Sequence, residues 1–222
     1  MEKREDNLYN INYFENINNK EQKQKLAMKI AEKVKDGDII GVGSGSTSYL
    51  ALCEIAKKVN ENNMKIIAIP TSYEIKMVCA NLGIPTASLL EKTPNWSFDG
   101  ADEVDNNDWI IKGRGAALFK EKLNNYETKC VNKLCEKFPV PVECYPDSIN
   151  YVQEQLLKLG AKNIKLRQAV GKDGPIITEN GNFILDVVFE NINENLEKEL
   201  KNIVGVIETG LFIGYENIQI LK

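Results

Sequence analysis

The sequence predicts an α/β protein: an open, mostly parallel sheet flanked by helices, with a smaller α+β domain behind it. Three observations carry that expectation. Short apolar runs alternate with helical stretches from Glu21 onward, and composition shifts near Phe138 into a strand-rich pattern. A chain of 222 residues, 43% of them hydrophobic, also holds enough apolar material for one core or one and a half.

The elements follow in order. Residues 1–19 are polar and asparagine-rich and are expected to form a poorly ordered extension. Leu26, Ile30 and Val34 recur every four residues and predict a helix, which Asp36-Gly37-Asp38 breaks. Ile39–Val42 reads as a short buried strand, a Gly/Ser loop follows, and Leu50, Leu52, Ile55, Ala56 and Val59 mark the next helix. Met64–Ile69 is a second strand; Thr71 or Ser72 can cap a helix that stops at Gly83. Ser97-Phe98 leads into an acidic loop, Trp109–Ile111 into a glycine-rich one, and Ala116–Lys122 is again helical. In a parallel α/β sheet ligands sit beyond the C-terminal strand ends, and all three loops are expected there. Past Phe138, strands at Pro139–Glu143, Lys162–Arg167, Pro175–Thr178 and Phe183–Phe189, with helices at Ser148–Leu159 and Glu194–Leu200, predict a β-α-β-β-β-α module. The apolar tail Val204–Lys222 is expected to return to the first sheet. The predicted division is therefore a polar extension 1–19, an α/β domain of 20–137 plus 204–222, and a small α+β domain of 138–203.

Composition removes several function classes. With 28 basic and 32 acidic side chains the net charge is −4, which gives no basic nucleic-acid footprint. No apolar run approaches the roughly 18 residues that span a bilayer, and the N-terminus lacks a secretory apolar stretch. Five scattered cysteines read as reduced thiols of a cytoplasmic protein. The sequence contains no histidine. That excludes Ser-His-Asp and Cys-His relays and every His-ligated metal, so acid–base work falls to Asp, Glu, Lys, Tyr or Cys.

Three segments carry chemistry. Gly41-Val42-Gly43-Ser44-Gly45-Ser46-Thr47 joins a strand to a helix, where glycines admit an anion and the helix start offers free N–H groups. No lysine follows as in a Walker loop, and a plain turn capped by Ser46 or Thr47 is the alternative. Asp99-Gly100-Ala101-Asp102-Glu103-Val104-Asp105 packs four carboxylates into seven positions, close enough to raise one another's pKa for proton transfer. Its spacing is not that of an EF-hand, and a solvated acidic turn is the bland reading. Ile111-Lys112-Gly113-Arg114-Gly115 offers a lysine and a glycine turn, with Glu121 beyond the first turn of the next helix, where a surface Glu121–Lys122 pair is the alternative. Trp96 and Trp109 are expected to pack, the cysteines to be inert, and Glu143 to hold the junction between domains.

GSGST, DGADEVD, IKGRGAALFKEKL and KFPVPVEC, in that order, resemble the ribose-5-phosphate isomerase A family, as do ITENGNFILD and VGVIETGLF. The resemblance implies a Rossmann-like catalytic domain with a ferredoxin-like second domain. It also implies an aldose–ketose isomerase that interconverts ribose 5-phosphate and ribulose 5-phosphate in the pentose phosphate pathway, with neither metal nor organic cofactor. By motif, Glu121 resembles the general base, Asp99 and Asp102 the active-site aspartates, and Lys112 the group that stabilises the enediolate oxygen. Ser44, Gly45, Ser46 and Thr47 correspond to the substrate loop; Gly100, Ala101, Gly113, Arg114, Gly115 and Lys129 complete the expected substrate contacts. The family also implies a homodimer or a dimer of dimers, with a small sugar phosphate and neither nucleic acid nor membrane as partner.

Two positions depart from the family. Arg114 stands where the family usually has glycine, and so either reaches the phosphate or points outward. The stretch from Glu121 to Lys129 is shorter than the family's spacing by a helix end and a buried strand. Losing a central parallel strand would expose apolar faces, so residues are expected to be absent there rather than naturally deleted. Three rivals share the broad architecture. A sugar-phosphate sensor would need a DNA-binding helix pair that 1–19 cannot supply, an amino-sugar-phosphate deaminase would use histidine, and an acyl-CoA transferase fits DGADE and KGxG poorly.

Overall fold

The computed structural model describes residues 17–115, 131–171, 173–215 and 218–221. Contacts gather into two compact units, 1–98 and 99–222.

In the first unit, helix α1 (Lys20–Lys33) precedes strand β1 (Ile39–Val42), helix α2 (Ser46–Glu61), strand β2 (Ile67–Pro70), helix α3 (Tyr73–Asn81) and strand β3 (Trp96–Phe98). The strands are parallel in the order β2-β1-β3, with Ile40 opposite both Ala68 and Trp96. This is the predicted parallel sheet. Ile40, Val42, Leu52, Ile55, Ala68 and Ile75 are wholly buried, as a strand covered on both faces demands. Lys58 of α2 donates to the carbonyls of Ala31, Glu32 and Val34 at 2.8–3.0 Å and so satisfies the C-terminal end of α1. Ser72 caps α3 by accepting from the Ile75 N–H, as its sequence position predicts. Trp96 donates to Asp38 and its ring lies 6.0 Å from that of Phe98, a packing role.

The second unit opens with strands β4 (Glu103–Val104) and β5 (Ile110–Ile111), which form an antiparallel hairpin. Here the structure corrects the sequence reading: the loop after Ile111 leaves an antiparallel strand, not a parallel one. The reason is local. Asp105 accepts from the N–H groups of Asn107 and Trp109, and Asp108 takes a left-handed φ of 58°, so Asp105–Asp108 is a tight reversal.

Strand β6 (Val140–Cys144), helix α4 (Ile149–Lys158), strands β7 (Ala161–Leu166) and β8 (Phe183–Phe189), helix α5 (Leu196–Lys201) and strand β9 (Val206–Thr209) build an antiparallel sheet in the order β7-β8-β6-β9. That β-α-β-β-α-β succession is the ferredoxin-like arrangement. It packs Val140, Val142, Val152, Leu156, Leu185, Val187 and Leu200 into one core. Two details differ from expectation. Pro175–Thr178 forms only an isolated bridge, Pro175 to Gln168, because Thr178 and Asn182 turn the chain into β8. Among the described residues of the tail, β9 pairs with β6 and β10 (Leu211–Phe212) pairs with β5, not with the strands of the parallel sheet. Glu143, buried at 1% exposure, accepts from Thr178 and Asn182, so it pins that turn and not the domain junction expected of it.

Residues 116–130 lie outside the described residues, and with them Glu121, Lys129 and the predicted helix Ala116–Lys122. The expectation that residues are absent between Glu121 and Lys129 falls on the same stretch and lies outside the described residues as well.

Candidate active site

In the first unit, β1 ends at Val42 and the Gly43 N–H donates to the Phe98 carbonyl at 2.8 Å, which fixes where the loop leaves the sheet. Ser44 bonds to Thr71 and Ser72 hydroxyls, each at 2.9 Å. The N-cap of α2 is Gly45, which brings no side chain to the helix's first N–H groups. The expected alternative of a turn capped by Ser46 or Thr47 is not what forms. Ser46 instead accepts from Lys23 of α1 at 2.7 Å, which sets an ammonium beside the positive end of a 16-residue helix. Lys23 was invisible in the sequence, one lysine among many on an amphipathic helix.

In the second unit the four carboxylates of the acidic segment separate into different tasks. Asp99, 2% exposed, accepts from the Gly100 N–H at 2.7 Å and pairs with the Lys112 ammonium at 3.0 Å. Lys112, itself 3% exposed, also donates to the Gly100 carbonyl at 2.5 Å. Asp102 accepts from the Arg114 N–H at 3.1 Å. Glu103 is wholly buried and gathers the N–H groups of Cys135, Lys137 and Phe138, at 2.5–2.9 Å, into one anchor for the approach to β6. Asp105 holds the hairpin. The segment is therefore neither a solvated turn nor a crowd of repelling acids: two carboxylates are structural, and two face the Lys112 loop.

Burial pushes the Asp102 carboxyl above the usual carboxylate range; Lys112, the Arg114 N–H, the Arg114 guanidinium and Arg167 oppose that rise without cancelling it. The sequence reading expected mutual repulsion to raise a carboxyl here, and desolvation does so instead. A partly buried carboxyl with a raised pKa beside a buried ammonium can take up and release a proton more readily than an ordinary carboxylate, while a fixed positive charge waits for an oxyanion.

The backbone that carries Lys112 is tightly held. Its N–H donates to the Gly210 carbonyl at 2.8 Å, and a Cβ on Gly210 would stand 2.1 Å from the Lys112 carbonyl oxygen and 2.7 Å from Pro141. Only glycine fits there. Gly113 turns the chain with a φ of 99°, and Gly100, Ala101, Gly113, Arg114 and Gly115 all border the same cluster through these bonds or by adjacency in the chain. The exposed Arg114 side chain lies over the Phe138 ring, 5.1 Å from its centroid, a cation–π contact that neither sequence alternative anticipated.

Arg167 is the second residue the sequence reading passed over. Its guanidinium donates to the carbonyls of Gly113 at 2.9 Å and Arg114 at 3.1 Å. A signal existed: it is one of only three arginines in the chain. The four described cysteines, Cys53, Cys79, Cys135 and Cys144, are free, and burial raises Cys79 to about 12 and Cys144 to about 11, which suits inert thiols. Among the described residues no helix is long and apolar enough to cross a membrane.

A family model described as ribose 5-phosphate isomerase A (phosphoriboisomerase A) matches residues 67–221. The ribose-5-phosphate isomerase A of Methanocaldococcus jannaschii is 39% identical over 215 residues, which cover 91% of this chain and 94% of that protein. That of Pyrococcus horikoshii is 41% identical over 218 residues, covering 91% and 95%. The solved M. jannaschii structure superposes with a TM-score of 0.85 at 38% identity, covering 91% of this chain and 95% of the other. A ribose-5-phosphate isomerase in complex with phospho-erythronic acid gives 0.83 at 38% identity, covering 89% and 92%. The chain belongs to the ribose-5-phosphate isomerase A family.

Proposed function

We propose that this protein interconverts D-ribose 5-phosphate and D-ribulose 5-phosphate through an enediolate. The observation that carries the reading is the buried Asp99–Lys112 pair, 3.0 Å apart and almost dry, next to a carboxyl of raised pKa at Asp102. Moving a proton between C2 and C1 of an open-chain sugar needs three things: a base at carbon, a cation where the carbonyl oxygen becomes an oxyanion, and groups that pass protons between hydroxyls. Lys112 takes the second role. Asp102 and Asp99 take the third, Asp102 opening the ring and returning a proton to the oxygen that becomes a hydroxyl. The base at carbon is assigned to Glu121 by its motif. It removes the C2 proton of the aldose, the electron pair forms the C1–C2 double bond, and the same carboxyl returns a proton to C1 to give the ketose.

The sugar's phosphate is assigned to Ser44, Gly45, Ser46 and Thr47, supported by the N-terminal end of α2 and the Lys23 ammonium beside it. Gly100, Ala101, Gly113, Arg114 and Gly115 are assigned contacts with the sugar, and Lys129 is retained as a further contact by motif. The reading extends to a cytoplasmic enzyme that works as a homodimer or dimer of dimers. A non-catalytic sensor is not favoured, since isomerases cover 91% of the chain at close to 40% identity.

Ribulose 5-phosphate formation from ribose 5-phosphate, measured with EDTA present and with phospho-erythronic acid as competitor, tests the proposal. Turnover that resists EDTA and falls competitively with the acid supports it. Saturable binding of ribose 5-phosphate with no turnover would overturn it in favour of the sensor.

A further inference from the structure

We infer that Arg167, braced by Asp186, is the positioning residue of the Lys112–Gly115 loop: one guanidinium holds two successive carbonyls and so presents the loop's N–H groups to the acidic cluster and the substrate. Arg167 follows β7 and Asp186 lies in β8, far along the chain from the loop they hold. The Arg167 Nε donates to Asp186 Oδ2 at 2.9 Å and Nη2 to Oδ1, a two-pronged pair at 15% and 21% side-chain exposure. That fork spends one edge of the guanidinium on the carboxylate and leaves Nη1 for the carbonyls of Gly113 and Arg114.

The consequence follows from peptide geometry. In a trans peptide the N–H points opposite to the preceding C=O. With the Gly113 carbonyl drawn to Arg167, the Arg114 N–H must point the other way, where it donates to Asp102. With the Arg114 carbonyl drawn to the same guanidinium, the Gly115 N–H is likewise turned away from Arg167. The left-handed Gly113 lets both carbonyls converge on one group. The peptide between Gly113 and Arg114 is thus gripped at both ends, and Arg167 is coupled to Asp102 through one rigid plane. A lysine has the charge but not the fork, and cannot hold a carboxylate and two carbonyls in one geometry.

This inference rests on the isomerase reading and acts through it, so the test is arranged to separate the two. Wild type, Arg167→Met, Arg167→Lys and Asp186→Asn are compared for kcat, KM, the pH profile of kcat/KM, and thermal midpoint. In both Arg167 variants kcat/KM falls about 10–100-fold, the scale expected when reacting groups are misplaced by up to about 1 Å. In Arg167→Met the acidic limb also moves to higher pH. The charges facing Asp102 are Lys112 at the end of β5, Arg114 in the loop and Arg167 after β7, with Asp99 and Asp186 as their counter-ions, so losing Arg167 removes one of three cations that hold the carboxyl down. Arg167→Lys keeps that limb near wild type while still losing rate, and Asp186→Asn loses rate to a smaller degree. A lowered thermal midpoint with kcat/KM per folded molecule within twofold of wild type overturns the inference, as does an Arg167→Lys variant at full rate. Should Arg167→Met not fold, Arg167→Lys and Asp186→Asn decide alone. An inactive wild type refutes the isomerase reading instead.

Discussion

Replacing Lys112 by Met removes an ammonium but keeps most of an unbranched stem in a site that is 3% exposed. At 3.0 Å and an effective dielectric near 20, the Asp99–Lys112 attraction is about 5.5 kcal/mol before any desolvation is counted. Each ion also loses several kcal/mol of hydration on burial, so the pair as a whole contributes little net stability. The single substitution is different, because it leaves the Asp99 carboxylate buried with its cation gone, and that costs about 3–5 kcal/mol. Asp99→Asn strands the ammonium in the same way. The double variant, Asp99→Asn with Lys112→Met, removes both charges and recovers most of the loss. Urea unfolding followed by Trp109 fluorescence, in a Trp96→Phe background, reads the second unit where the pair lies. Two singles each costing about 3–5 kcal/mol, and a double costing far less than their sum, fit the reasoning. Additive losses, or singles within about 1 kcal/mol of the parent, would refute a dehydrated, mutually dependent pair.

Two further predictions concern the same unit. Because burial raises Asp102 in the folded state, the folded protein binds its proton more tightly than the unfolded chain, and stability falls as pH rises from the usual carboxylate value of about 3.9 toward the raised one. Asp102→Asn, which keeps an acceptor for the Arg114 N–H, should therefore match wild type near pH 3 and exceed it in urea midpoint at pH 7 while losing most turnover; a less stable variant at pH 7 contradicts the sign. Gly210→Ala should lower stability by about 1–3 kcal/mol, since its Cβ meets the Lys112 carbonyl oxygen at 2.1 Å, and a thermal midpoint equal to wild type would show that the contact yields freely.

The parallel half of the fold was legible in the sequence because its strands and helices announce themselves locally: apolar runs such as Ile39–Val42, a capping Ser72, a stopping Gly83. The antiparallel hairpin was harder, because Asp105 reads as the last of four crowded acids when its work is to turn the chain. The tail defeated the reading for another reason. Val206–Thr209 is apolar enough to pair with any sheet, and only the position of β6 decides which one. The site divided along the same line. Motifs named Asp99, Asp102 and Lys112, but the partners that fix them, Gly210 and Arg167, come from remote stretches and carry no local sign of it. Lys23 reaches Ser46 across the chain from the face of an otherwise ordinary helix.

The central claim is that a carboxylate base at Glu121 moves the proton while the Asp99, Asp102 and Lys112 cluster manages the oxygens. Ribulose 5-phosphate formation with EDTA present, compared between wild type and Glu121→Gln, tests it most directly. The account predicts EDTA-resistant turnover that falls by about 10²–10⁴-fold in the variant, the contribution of a positioned general base. Full turnover in Glu121→Gln would contradict it.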